Sequence, residues 1–260
     1  MSMLINSAIV IGALLTLFAL EFSLVFEYIF APRSRKNALC SRYEQYGAKL
    51  LFGLFRIFRG FNVDIRNPQK LHIPKYCLVI ANHQSLLDII VLVYMLGFER
   101  MPRFVAKKEL QFGIPLISFT LRKGGHCLIK RRGAPIDTMR SISKMSRSCK
   151  LEQACPVIFP EGTRSRDGRL GVFHAAGVRK ILETEAIPVA AIAIDGGWRV
   201  ATLRDFLRRF GKEPYVIEIV EIYEAPRGKH EIERVMDDAH KKIGMSLENM
   251  RSLIRQPGGL

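Results

Sequence analysis

The apolar and polar positions of this chain fall into three regimes. The first is nearly unbroken: residues 4–20 carry no charge, and only Asn6, Ser7 and Thr16 are clearly polar. The apolar run continues to Phe30, interrupted by Glu21 and Glu27, and is succeeded by Arg33, Arg35, Lys36 and Arg42. Seventeen uncharged residues are at the short end for a helix that crosses a bilayer. The cations after them place the rest of the chain on the cytoplasmic side; the alternative is a buried helix of a soluble protein. A secretory signal fits poorly, because no Lys or Arg precedes the run and no small-residue cleavage site closes it. A second segment, residues 43–61, mixes Leu50, Leu51, Phe52, Leu54, Phe55, Ile57 and Phe58 with Lys49, Arg56 and Arg59. Such a helix either lies in a membrane interface or packs on the folded domain.

The second regime is a series of short β-prone runs separated by helical patterns. Strands are predicted at residues 62–66, 76–81, 103–106, 126–130, 156–159, 188–194 and 215–223. Helices are predicted at 86–96, 136–150, 177–185 and 201–210. This alternation predicts an α/β fold, with a mostly parallel or mixed sheet covered by helices on both faces and preceded by membrane-associated N-terminal helices. The run 215–223 alternates apolar and polar residues, which predicts an edge strand. The third regime is amphipathic: Ile232, Val235, Met236, Ala239, Ile243, Leu247, Met250 and Leu253 recur at helical steps within a helix predicted at 231–254. Residues 1–60 are therefore read as membrane-associating helices and 61–260 as one folded domain.

Charge changes this picture. The chain carries a net +16, and residues 100–150 hold 13 Lys/Arg against two acids, Glu109 and Asp137. Such a field attracts nucleic acid, anionic headgroups or phosphorylated substrates, or is simply a solvated face. No aromatic-rich basic motif accompanies it, so nucleic acid is not expected as a partner. The five cysteines, Cys40, Cys77, Cys127, Cys149 and Cys155, form no C-x-x-C and no zinc spacing. Cys77 and Cys127 lie in strand-like runs and are read as small buried hydrophobes, and with a cytoplasmic reading disulfides are not expected.

Two polar segments come directly after apolar strand runs: Asn82-His83-Gln84-Ser85-Leu86-Leu87-Asp88 and Phe159-Pro160-Glu161-Gly162-Thr163-Arg164-Ser165. Open α/β sheets place their binding sites just past strand ends. If His83 and Asp88 were on one helix they would point apart. They meet only if His83 is still loop and the helix begins near Ser85. Asp88 can then fix the imidazole tautomer and leave the other ring nitrogen as a base. The alternative is a capping aspartate beside a structural histidine. In the second segment Gly162 permits close backbone approach, and Arg164 can hold a phosphate. The alternative there is a tight turn with a local Glu161–Arg164 pair.

At these residues the chain resembles the 1-acylglycerol-3-phosphate acyltransferases of the glycerolipid acyltransferase family. That family carries four blocks in fixed order: N-H-x4-D, an arginine closing a block after an apolar strand, F-P-E-G-T-R-S, and an apolar proline block. They fall here at residues 82–88, 125–131, 159–165 and 187–189, and the likeness covers roughly residues 62–200. The resemblance implies that His83 is the general base and that Asp88 orients it. It implies that Glu161, Gly162, Thr163 and Arg164, with Arg131, bind the glycerol phosphate of the acceptor, and that Lys107 lies near the reacting carbonyl. The implied acceptor is lysophosphatidic acid and the product phosphatidic acid, made at a bilayer by a domain facing the cytoplasm. No metal or cofactor is implied; an acyl-CoA or acyl carrier protein thioester is the co-substrate. The chain departs from the pattern at Lys130, where an acidic residue is usual, at His174, where a lysine is common, and at Ala191, where a second proline is common. The same chemistry on another lysophospholipid, on glycerol 3-phosphate or on an acylated amino acid lipid is the first alternative. A non-catalytic, membrane-anchored, anion-binding protein is the second.

Overall fold

The computed structural model describes residues 2–130, 134–211 and 214–255. Two long helices come first, α1 (Ser2–Phe30) and α2 (Lys36–Arg59). The sheet strands are β1 (Val63–Arg66), β2 (Leu78–Ala81), β3 (Arg103–Lys107), β4 (Cys127–Ile129), β5 (Pro156–Ile158), β6 (Val189–Asp195) and β7 (Tyr215–Tyr223). Between and after them run α3 (Leu87–Arg100), α4 (Ile117–Lys123), α5 (Pro135–Glu152), α6 (Ala175–Thr184), α7 (Leu203–Arg209) and α8 (Gly228–Arg255).

The seven strands form one sheet in the order β1-β7-β6-β2-β5-β3-β4. Strands β2 to β6 are mutually parallel; β7 runs antiparallel to β6, and β1 pairs parallel with β7. The central strands are apolar on both faces, as a sheet covered by helices on both sides requires. All of β2 and β6 is buried. Alternate residues face opposite layers. Val79 and Ala81 pack with Leu51, Phe52 and Phe55 of α2 and Val91, Leu92 and Leu96 of α3. Leu78 and Ile80 pack with Ile142 and Met145 of α5, Val178 and Ile181 of α6, and Ile232, Met236 and Ile243 of α8.

The alternating run 215–223 is not an edge strand. β1 pairs along Tyr215 to Glu218 and covers the start of β7. β1 is four residues long and leaves the second half of β7 open on that side. Helix α4, seven residues long, has no counterpart among the sequence predictions.

Met3–Phe30 is long and apolar enough to cross a membrane, with mean hydropathy 2.4 and only 17% of its most apolar window buried. It packs along α2 as a hairpin. Near one end Asn6 donates to the carbonyls of Phe206 and Leu207 on α7 and accepts from Arg59. Near the other, Glu27 accepts from Tyr43 at 2.6 Å and from Arg42. α2 presents two apolar faces. Leu51, Phe52 and Phe55 are buried in the core, while Leu50, Ile57 and Phe58 are exposed. The five cysteines are buried free thiols; burial pushes Cys40, Cys127 and Cys149 up to about 12.

Candidate active site

β2 delivers its carboxyl end to the centre of the sheet, and Asn82 extends it without a ladder. The Asn82 amide donates to the carbonyl of Ile194 and accepts from its N–H, both at 2.8 Å. The chain then turns through a loop, and α3 begins only at Leu87. That start meets the geometric condition set by the sequence. His83 precedes the helix, Asp88 sits in its first turn, and His83 Nδ1 lies 2.8 Å from Asp88 Oδ2.

Asp88 is fully buried and densely bonded. Its Oδ2 also accepts from the backbone N–H groups of Gln84 at 2.6 Å and Ser85 at 2.8 Å. Its Oδ1 accepts from the Tyr215 hydroxyl. Burial, and then the Asp88 carboxylate, push the Tyr215 hydroxyl well above its usual range, so it remains a donor. Surrounded by donors, Oδ2 can only accept, which puts hydrogen on Nδ1 and leaves Nε2 with the lone pair. Nε2 has no hydrogen bond among the described residues, and His83 lines a cavity. The Ser85 hydroxyl accepts from Leu87 N–H at 2.9 Å and holds the turn that leads into α3.

The second motif is clamped to the first through the backbone of His83. His83 N–H donates to Glu161 Oε1 at 2.7 Å, and Ser165 N–H donates to the His83 carbonyl at 2.8 Å. Phe159 stacks on the His83 ring with centroids 4.0 Å apart. Gly162 turns the loop at φ 65°, a left-handed conformation that favours glycine. The other oxygen of Glu161 accepts from Gly171 N–H at 2.9 Å. Burial raises the Glu161 carboxyl above its usual range despite both donors. Its two oxygens are engaged by backbone, and Glu161 is not among the residues lining the cavity. The structure makes it a tie between the two motifs.

The cavity has a volume of about 300 Å³ and lies at the carboxyl ends of β2 to β5. His83, Lys107, Gly162, Thr163, Arg164 and His174 give it polar positions, and Leu86, Ile89, Leu110, Ile129, Met139 and Ile142 give it apolar walls. The site residues brought together are thus His83, Asp88, Lys107, Gly162, Thr163 and Arg164, with Glu161 behind them. Arg131 lies outside the described residues.

Several supports have no local sequence signal. Tyr215 is 127 residues from Asp88. Gly197 touches the same point: a Cβ there would lie 2.8 Å from both Asp88 Oδ1 and the Tyr215 hydroxyl. Gln84 donates to Asp195 Oδ1 at 3.1 Å and accepts from Trp198 N–H. Asp195, 1% exposed, is met by Arg251 of α8 with two donors at 2.6 and 3.1 Å, and Arg251 also donates to the Gly168 carbonyl at 2.7 Å. One guanidinium therefore fastens both loops of the site. Arg251→Ala is expected to cost about 3 kcal/mol of stability by leaving a buried carboxylate unpaired, read as a lower urea midpoint. Arg251→Lys should recover only part, since an ammonium cannot fork to both acceptors. An unchanged midpoint in the alanine variant would show that the pair contributes nothing.

Fold and site together define a class: an α/β protein with a carboxylate-held histidine lining a largely apolar cavity at its strand ends. Residues 62–195, about half of the chain, match the family model described as Acyltransferase. The chain belongs to the acyltransferase family. It is 30% identical over 162 residues to the chloroplastic 1-acyl-sn-glycerol-3-phosphate acyltransferase BAT2 of Brassica napus, covering 61% of this chain and 44% of the relative. It is 32% identical over 127 residues to the human 1-acyl-sn-glycerol-3-phosphate acyltransferase beta, covering 47% and 44%. The chain thus spans less than half the length of these two relatives. The crystal structure of the 1-acyl-sn-glycerophosphate (LPA) acyltransferase PlsC from Thermotoga maritima shares the fold, with TM-score 0.71 and 19% identity over 95% of both chains.

Proposed function

We propose that this chain transfers a fatty acyl group from a thioester to the sn-2 hydroxyl of 1-acylglycerol 3-phosphate, giving phosphatidic acid for phospholipid synthesis. One observation carries the reading: Asp88 holds Nδ1 of His83 while the imidazole lines the cavity. In this mechanism Nε2 accepts the proton as the acceptor oxygen forms its bond to the thioester carbonyl. The C–S bond then breaks, and the thiolate leaves with the proton returned by the imidazolium. No covalent enzyme intermediate is needed. Lys107 and Arg164 supply positive charge at the cavity wall, one for the developing oxyanion and one for the phosphate. Leu86, Ile89, Leu110 and Ile129 accommodate acyl chain. The relatives' names support the acceptor. The reaction calls for no metal or organic cofactor; acyl-CoA or acyl carrier protein brings the thioester.

The α1–α2 hairpin, within residues 1–60, associates with the bilayer in this reading, and the remainder works at the cytoplasmic face. The exposed apolar residues of α1 and α2, including Leu15, Phe18, Phe22, Phe26, Ile57 and Phe58, support membrane association. The ties of α1 to α2 and α7 near both its ends support a hairpin lying along one leaflet.

The test is product analysis by mass, using the purified protein with lysophosphatidic acid, other lysophospholipids, glycerol 3-phosphate and both donors. Phosphatidic acid is the expected product. Transfer only to a different acceptor would overturn the substrate assignment, and consumption of no thioester with any acceptor would overturn the enzyme reading. Arg164→Ala is expected to raise the apparent KM for lysophosphatidic acid by roughly 10–100-fold, the effect of losing a hydrogen bond to a charged group. A change confined to the thioester donor would move Arg164 out of the phosphate site.

A further inference from the structure

The cations of residues 100–150 divide into those the fold uses and those it does not. Arg100 donates to the carbonyls of Ile73 and Pro74, and Arg103 is buried against Ser41 and Glu152. Lys107 lines the cavity. On α5, by contrast, Arg140, Lys144 and Arg147 are all exposed at successive turns. With Lys180 of α6 they border a shallow groove that also holds Ile136 and Met139. Among the described residues none of these four cations has a carboxylate partner. Like charges three and four residues apart repel along a helix and weaken it.

The position of this row decides what it can meet. α5 packs Ile142, Met145 and Cys149 on one face of the sheet, and α1 and α2 pack on the other. A bilayer that holds the hairpin lies on the far side of the sheet, so the row looks into water. The same helix walls the catalytic cavity through Thr138, Met139 and Ile142, and Met139 borders both cavity and groove. Arg140 to Arg147 covers about 10 Å of helix. A single phosphate is held by converging donors, whereas separate cations in a row match a line of carboxylates on a partner surface.

We propose that Arg140, Lys144, Arg147 and Lys180 form a docking face for an acidic, soluble acyl carrier protein that delivers the thioester into the adjoining cavity. The proposal rests on the acyl-transfer reading and names its donor. The full chain is compared with a variant carrying Arg140→Glu, Lys144→Glu and Arg147→Glu, and with the milder Arg140→Gln, Arg147→Gln pair. Thermal melts check that both fold. The KM for acyl carrier protein loaded with a given chain is expected to rise about tenfold or more in the triple variant and less in the pair. The KM for lysophosphatidic acid should stay within about twofold, and that for acyl-CoA of the same chain should rise less than that for the carrier, since a compact group of CoA phosphates meets fewer of the spaced cations than a line of carboxylates does. Added salt should weaken use of the carrier by the unmodified protein more than use of acyl-CoA. Binding of the carrier is also measured directly by fluorescence anisotropy. If no donor supports transfer, the enzyme reading fails, while loss of carrier binding in the triple variant still upholds the docking face. Equal effects on both donors, or unchanged carrier KM and binding, would overturn it. So would lost binding to anionic vesicles with carrier kinetics intact, which would make the row a lipid-facing surface.

Discussion

His83→Ala is expected to slow acyl transfer by about 10²–10⁴-fold, the range for losing a general base. The loss should fall on kcat, because in the proposed mechanism the imidazole acts on the acceptor hydroxyl as the new bond forms, not on lipid binding. The variant should still fold. His83 is held chiefly through its backbone, whose N–H meets Glu161 and whose carbonyl meets Ser165, and alanine keeps both contacts. A melt within a few degrees of the unmodified protein, together with lost turnover, would isolate the chemistry. Near-normal turnover in a folded variant would eliminate His83 as the base.

Asp88 is expected to give a graded series. Asp88→Ala removes the partner of Nδ1 and leaves the Gln84 and Ser85 amides buried without an acceptor, so activity should approach that of His83→Ala and stability should fall as well. Asp88→Asn should behave differently from the same change in a Ser-His-Asp triad, where an inverted tautomer costs about 10⁴-fold. Two backbone N–H groups point at Oδ2 here, and they reject an amide NH₂ at that position. The asparagine must place its oxygen there, keep Nδ1–H as a donor, and turn its NH₂ to the Tyr215 hydroxyl, which rotates to accept. What is lost is the negative charge that stabilises the imidazolium, worth about 10–10²-fold. The measurement is kcat for both variants beside thermal melts. A 10⁴-fold loss in Asp88→Asn would mean that the amide sits the other way round and that the backbone donors do not enforce orientation.

The parts of the site legible in the sequence were those built from neighbours along the chain. His83 and Asp88 are five residues apart, and elementary helix geometry stated the one condition under which they meet. Gly162 announced its turn. The strands were legible because a covered parallel sheet needs apolar runs. Tyr215, Gly197, Asp195 and Arg251 were not legible, because each reaches the site through sheet order or helix packing, and no local pattern encodes which strand lies beside which. Glu161 shows a subtler limit. Its residue type and place beside Arg164 read as ligand binding, yet folding turns both its oxygens onto backbone N–H groups. The strand at 215–223 misled for the opposite reason: its polar alternation is real, yet a short strand pairs with its first half.

The pairing of β2 with β6, the Tyr215 contact and the reach of Arg251 back to Asp195 have a consequence for the order of synthesis. A growing chain makes α1, the His83 segment and Asp88 early, but Tyr215, which holds the second oxygen of Asp88, and Asp195 and Arg251, which fasten the loops, come from its last third. Contacts of such long sequence separation form late and slowly. A nascent chain can therefore expose the apolar α1 while the Asp88 site still lacks Tyr215 and Arg251. The set of contacts around Asp88 and Asp195 is complete only when α8 has folded back across the sheet.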